Sequence, residues 1–180
     1  MIARGVVAAL VVVPGVTGDD DGDGPTARTD ASPGARSPKP TTPTGFASSL
    51  RVARGILGPE GRLLTLRLDD DGLQVVGADS AGDGKVVVVR PGQPPHDLPG
   101  PDALPRRSSF TLRAVDTRAP VRIRRAVRRR QGRDARLTYY ALSREPIEGR
   151  MIWSAFVDGG SQGYTANGTG RRMRPLGAGG

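Results

Sequence analysis

The chain has 180 residues, 36% hydrophobic and 4% aromatic, which suits one domain or two very small ones and excludes a polytopic membrane protein. Cysteine is absent, which excludes disulfide frameworks, Cys-zinc sites, iron–sulfur clusters and thiol nucleophiles. The formal net charge is +9, and seventeen of the 27 Lys and Arg residues, against five of the 18 acidic residues, lie in residues 106–180. The basic excess therefore belongs to the C-terminal part of the chain.

Residues 1–18 have the pattern of a secretory signal peptide. Arg4 precedes an apolar run over residues 5–16, which is shorter than the roughly 20 residues that span a bilayer and fits an export signal. A buried N-terminal strand or helix is the alternative. The tripeptide at 16–18 resembles the end of a bacterial lipoprotein signal, but Asp19 stands where the lipid-bearing cysteine would be. We therefore expect an extracellular or envelope-associated protein, with this segment either cleaved or retained as a weak anchor.

Residues 19–45 are acidic at first and then rich in Pro, Thr and Ser, which predicts a disordered linker because little apolar surface can be buried. Its start matches a calcium-binding loop, in which alternate carboxylates wrap a hard cation. No flanking helices are predicted, so a plain solvating spacer is the alternative. The candidate calcium ligands are Asp19, Asp21, Asp23 and Asp30.

Residues 46–92 are predicted to form a first α+β unit. Ser48 or Ser49 can cap a short helix that ends at Gly58-Pro59. The following strand, residues 62–68, is expected to place Leu64, Leu66 and Leu68 on one side. Two further strands are predicted over residues 73–76 and 86–89.

A Pro-rich linker, residues 93–110, separates this unit from a second, basic one. Asp116 or Thr117 is predicted to cap a helix that runs to about Arg130. Strands follow over residues 136–142, 151–157 and 163–166, and the second unit ends at residue 176 before a Gly-rich tail, 177–180. The predicted fold class is α+β, two small units that each pack a helix on an antiparallel sheet of about three strands.

This order of elements resembles secreted bacterial domains of the PepSY type. The residues that carry the likeness are the last strand and following turn of each unit, 84–92 and 163–171, and it extends over 46–92 and 115–175. The resemblance implies a helix on a three-stranded antiparallel sheet. It also implies an envelope protein that modulates peptidases or binds partners without catalysis of its own.

The second helix is exceptionally rich in arginine. Three interpretations stay open: a solvated surface in a chain with 25 Arg and 2 Lys, a surface for anions, or a nucleic-acid-binding helix aided by Tyr139, Tyr140, Trp153 and Tyr164. An anionic envelope polymer, a membrane surface or an acidic protein partner would suit the second interpretation. The candidate anion-binding residues are Arg122, Arg124, Arg125, Arg128, Arg129 and Arg130.

No residue pattern indicates an enzyme, a cofactor or a small-molecule substrate. His96 lies beside Asp97 in the Pro-rich linker, where neighbours in an extended chain point in opposite directions. Glu145 and Glu148 flank a predicted turn. We expect a non-catalytic binding protein of the cell envelope, with a cytoplasmic nucleic-acid-binding module as the alternative.

Overall fold

The computed structural model describes residues 38–101, 104–105, 107–158 and 162–177. The predicted signal peptide and the calcium-loop aspartates at positions 19, 21, 23 and 30 lie outside these residues.

The described residues contain two α-helices, nine β-strands and a short 3-10 helix, Leu112–Ala114. The helices are α1 (Pro43–Leu57) and α2 (Ala119–Gln131). The strands are β1 (Arg62–Leu68), β2 (Leu73–Ala78), β3 (Gly84–Val89), β4 (His96–Pro99), β5 (Phe110–Thr111), β6 (Leu137–Arg144), β7 (Met151–Val157), β8 (Gln162–Asn167) and β9 (Arg174–Pro175).

The described strands form one antiparallel sheet in the order β4-β3-β2-β1-β6-β7-β8-β9, with β5 paired to β1. The α+β class is confirmed, but the two predicted units share one nine-stranded sheet instead of forming sheets of about three strands. The reason is that β1 and β6 pair directly, with Leu66 opposite Leu142. Without this pairing, residues 65–68 of β1 and residues 140–143 of β6 would have unpaired backbone groups.

One face of the sheet carries the core. Leu66 pairs with Leu142, and Leu142 pairs with Trp153, so all three side chains lie on the same face. All are fully buried, in a cluster that includes residues of both helices. Helix α1 crosses this face obliquely, since Phe46 in its first turns contacts Trp153 on β7 while Leu57 at its end accepts a hydrogen bond from the amide of Ser80, after β2.

Helix α1 begins earlier than predicted, inside the segment 19–45 that the composition marks as a linker. Thr42 is its N-cap, and the Thr42 hydroxyl accepts a hydrogen bond from the Gly45 amide at 3.1 Å. Pro43 occupies the first helical position, where its missing N–H costs nothing. The predicted caps, Ser48 and Ser49, lie within the helix.

A β-bulge changes which leucines of β1 face the core. The pairing register with β2 shifts between Leu63 and Thr65, so two consecutive residues oppose one partner. Leu63 is consequently buried with Leu66 and Leu68, whereas the predicted Leu64 is partly exposed.

Parts of the Pro-rich segment 93–110 belong to the sheet. The segment contains edge strand β4, which pairs with β3 and leaves all four of its residues exposed. Proline is tolerated there because an edge strand has a backbone side that faces solvent. Phe110, at the end of the segment, begins β5 and is buried.

Candidate functional site: an arginine-lined cleft

Helix α2 is attached to the sheet by a narrow apolar stripe. Ile123 and Val127 are buried and Ala126 is partly buried against the core. The side chains of the predicted caps accept no hydrogen bond from the first turn, because the helix begins after Arg118, although the Asp116 carbonyl accepts one from the Ala119 amide. Asp116 instead accepts a hydrogen bond from the Arg118 amide at 2.9 Å and so orders the approach to the helix.

Two of the six candidate arginines fix α2 to neighbouring turns. The Arg122 guanidinium donates to the Asp116 carboxylate at 2.6 Å and to the carbonyl of Thr169 at 2.7 Å. The Arg130 guanidinium donates to the carbonyl of Met173 at 3.0 Å. These two side chains tie the helix to residues that follow β8.

The pKa of Asp116 reflects this attachment. Partial burial by itself raises the pKa of the Asp116 carboxyl, but the hydrogen bonds from Arg122 and the Arg118 amide outweigh it. The pKa therefore lies below its ordinary value, and the carboxylate stays charged opposite Arg122.

The remaining four arginines of the set divide between two surfaces. Arg125 and Arg129 are exposed on the outer side of α2. Arg124 and Arg128, one helical turn apart, line a cleft of about 650 Å³. The cleft is lined by Thr41, Asp70, Arg124, Arg128, Arg133, Asp134, Ala135, Arg136, Leu137 and Tyr140. We call this the arginine cleft, and its four arginines the cleft arginines.

The side chains of the cleft arginines have no polar partner among the described residues. Within the described part of the chain, no hydrogen bond or ion pair is made by the side chains of Arg124, Arg128, Arg133 and Arg136. Of the two carboxylates in the lining, Asp70 is already engaged, because it accepts from the Thr41 hydroxyl at 2.6 Å and lies 3.6 Å from the Lys39 ammonium. The cleft therefore carries excess positive charge without an internal counter-ion for each guanidinium.

Tyr140 supplies the cleft with a neutral polar group. Its side chain is 2% exposed, and its hydroxyl makes no hydrogen bond to another described residue. Burial raises the pKa of Tyr140 to about 12, against the opposing influence of Arg124 and Arg128. The phenol is therefore protonated and able to donate a hydrogen bond at neutral pH.

This burial predicts a stability loss at high pH. The folded-state pKa of Tyr140 is about 12 and the ordinary value is 10.0, so its stabilising contribution is complete below pH 10 and is lost as the pH rises toward 12. In that interval the free energy of unfolding should fall by about 1 kcal/mol per pH unit from this group. Urea unfolding on either side of pH 10 measures it, and Tyr140→Phe should remove this part of the pH dependence. Identical pH dependence in both proteins would contradict the assignment.

The four aromatic residues predicted to assist nucleic-acid binding do not form an exposed surface beside α2. Trp153, Tyr140 and Tyr164 are buried in the core. Tyr139 lies on the opposite face of the sheet, where its ring stacks on Phe156 at 4.4 Å and under the Arg67 guanidinium at 4.4 Å. A base could not stack on the three buried rings while the core remains packed.

The other candidate residues remain apart. His96 lies on edge strand β4, whereas Glu145 follows β6, four positions away in the sheet at ~4.8 Å per strand. Among residues 38–101, 104–105, 107–158 and 162–177, no three His, Asp or Glu side chains form a group that could hold a metal ion. In the same ranges, no helix combines the length and apolar character needed to cross a membrane.

The arginines of α2 are evident in the sequence, but the cleft is not. Arg133 and Arg136 follow the helix directly, so their charge was visible as part of the basic region. Thr41, Asp70 and Tyr140 come from three separate parts of the chain. No local pattern marks them as neighbours.

The chain matches no known protein family and no curated protein in sequence comparisons. Among solved structures, it is similar to a candidate lipoprotein from Clostridium difficile 630. The two chains share 12% identity with a TM-score of 0.49, over 73% of this chain and 92% of that one.

Proposed function

We propose that this is an exported, non-enzymatic protein of the cell envelope that binds an anionic envelope surface through α2. The single observation that carries the proposal is the group of guanidiniums without partners among the described residues. Arg125 and Arg129 are exposed on α2, and Arg124 and Arg128 lie beside them on the cleft. Guanidinium groups bind phosphate and carboxylate oxygens with two parallel hydrogen bonds, which suits anionic lipids and polymers.

The envelope location is supported by the signal-like pattern of residues 1–18. The PepSY-type resemblance supports a binding role, since each half of the sheet is preceded by a helix that packs on its core face, as in that family.

Mass spectrometry of the native N-terminus in separated cell fractions tests export. A chain that begins near Asp19 outside the cytosol would support it, and an intact Met1 in the cytosol would contradict it.

A cytoplasmic nucleic-acid-binding module has weaker support. It relies on stacking side chains near the basic helix, and three of the four candidate rings are buried. Phosphate contacts alone could still hold a nucleic acid, so single-stranded DNA and RNA belong in the binding assay.

The binding test uses vesicles of phosphatidylglycerol and phosphatidylcholine. We expect the protein to co-sediment with the anionic vesicles at about 20 mM salt and to be released at about 500 mM, because surface charges are screened. Each arginine near an anionic surface contributes about 1 kcal/mol, so the double variant R125Q/R129Q should bind about thirtyfold more weakly.

The matched control removes the same charge from the other helix. Arg51 and Arg54 are exposed on α1, and R51Q/R54Q should change vesicle affinity by less than about threefold. Equal weakening by the two double variants would mean that net charge, not α2, attracts the surface. Absence of vesicle binding at low salt, or preferential binding of single-stranded nucleic acid, would overturn the proposal.

A further inference from the structure

The arginine cleft differs from a flat basic surface in shape. Its volume of about 650 Å³ falls in the range of small-molecule sites, roughly 300–1,000 Å³, and is far larger than a single inorganic ion needs. The lining comes from the segment before α1, the β1–β2 turn, α2, the loop that follows α2, and β6. A concave site between separate elements can surround one end of a ligand, whereas an exposed helix face cannot.

The charges of the lining favour a ligand with more than one negative charge. The lining contains four guanidiniums and two carboxylates. One carboxylate, that of Asp70, already accepts a hydrogen bond from Thr41 and pairs with Lys39. Two or three positive charges are therefore left without compensation in the cleft. A phosphate group carries about 1.5 to 2 negative charges at neutral pH and three acceptor oxygens, whereas a carboxylate carries one charge.

The polar groups of the lining add donors of the right kind. The Tyr140 hydroxyl, which has no hydrogen-bond partner among the described residues, can donate one hydrogen bond to a phosphate oxygen. Guanidiniums provide only donors, so donors from Tyr140 and the cleft arginines would converge on an acceptor-rich group. The partly buried Leu137 and Ala135 give the remaining volume an apolar side.

We infer that the arginine cleft binds a small phosphorylated molecule, whose phosphate lies among the cleft arginines and accepts a hydrogen bond from Tyr140. This inference rests on the proposed function, because it names the ligand class of the same basic region. The phosphate can belong to a soluble metabolite or to the headgroup of a lipid, and the chemistry at the cleft is the same for both.

Calorimetric titration of the full chain with sodium pyrophosphate at low salt tests the inference. We expect one saturable site. The variant R124Q/R128Q should lower the affinity at least about tenfold, because charge-assisted hydrogen bonds are lost. The matched control R51Q/R54Q removes the same charge from α1, whose two arginines do not line the cleft, and it should stay within about twofold.

Tyr140→Phe keeps the ring and removes only the hydroxyl. We expect about a fivefold to tenfold loss of pyrophosphate affinity with an unchanged circular dichroism spectrum. Citrate, whose similar total charge is spread over three separate carboxylates, should bind more weakly than pyrophosphate, whose charge is concentrated on phosphate oxygens. Vesicles with phosphatidic acid, compared at equal surface charge with phosphatidylglycerol, distinguish the sources. Preference for phosphatidic acid indicates a lipid headgroup, and pyrophosphate binding without that preference indicates a soluble ligand.

Three results would overturn the inference: no saturable pyrophosphate site, equal losses in the two double variants, or citrate binding as tight as pyrophosphate. If phosphatidylglycerol vesicles still bind through Arg125 and Arg129 in that case, the proposed function stands and the cleft is only part of a basic surface. If the vesicles do not bind while pyrophosphate does, the proposed surface role fails and the cleft remains a phosphate site.

Discussion

Replacement of Trp153 by alanine should lower the free energy of unfolding by about 3–5 kcal/mol, the range for a large aromatic side chain removed from a core. The Trp153 side chain is 0% exposed, and its ring meets the Phe46 ring edge-on at a centroid distance of 6.0 Å. Its indole N–H donates to the carbonyl of Gly168 at 3.0 Å. The substitution would therefore leave a cavity under α1 and an unpaired carbonyl. Urea unfolding followed by far-ultraviolet circular dichroism measures the loss, since the variant has no tryptophan fluorescence.

Two comparison variants identify the cause. Trp153→Phe keeps most of the apolar contact and loses the indole N–H, so it should cost about 1–3 kcal/mol. Ile147→Ala removes an apolar side chain that is 93% exposed, at the β6–β7 turn, and should change stability by less than about 0.5 kcal/mol. A loss in Trp153→Ala no larger than that in Ile147→Ala would contradict the position of Trp153 in the core.

Replacement of Gly170 by alanine should cost about 2–4 kcal/mol and disturb the start of the basic helix. Gly170 has φ of +71°, and a Cβ added there would lie 2.6 Å from the carbonyl oxygen of Ala119 and 2.8 Å from its Cα. Both atoms belong to backbone at the start of α2, so they cannot rotate away as a side chain could. Strain from positive φ and overpacking therefore combine at one position. Urea unfolding measures the loss.

Gly92, in the turn after β3, provides the matched control. Its φ is +73°, close to that of Gly170, and no atom of the described residues lies within 4 Å of an added Cβ. Gly92→Ala should therefore cost only the conformational strain, about 1–2 kcal/mol. If the two alanine variants lose the same stability, the close approach of Gly170 to α2 does not hold the helix in place.

The elements of this fold could be predicted more reliably than their assembly. Both helices and six main strands follow from local signals, such as the alternation along residues 151–157, which the structure reproduces as β7. The start of α1 was missed because the composition around Thr42 and Pro43 resembles a linker, and only the hydrogen bond from the Gly45 amide identifies the cap. The β1 bulge was missed because it depends on the pairing partner rather than on β1 itself.

The site was predictable only in part for the same reason. The six arginines of α2 are evident in the sequence. Whether each side chain binds another part of the protein depends on the residues that lie near it in the fold. The Arg122 guanidinium is held in place because it donates hydrogen bonds to Asp116 and to the carbonyl of Thr169. The Arg124 side chain has no such partner among the described residues, and it lines the cleft together with Tyr140. Such distinctions depend on residues that are distant in sequence, so periodicity and charge counts do not contain them.

The pairing of β1 with β6 gives the chain an approximate internal twofold arrangement. The strand order reads outward from this pair as β2, β3, β4 on one side and β7, β8, β9 on the other, and one helix precedes each half. Two separate copies of one half, joined edge to edge, would form an isologous dimer with a closely similar sheet. In such a dimer every substitution appears twice, whereas in a fused chain each half can diverge alone. Helix α1 carries two arginines, Arg51 and Arg54, where α2 carries six, so the two halves of the fused chain differ in charge although their strand orders match.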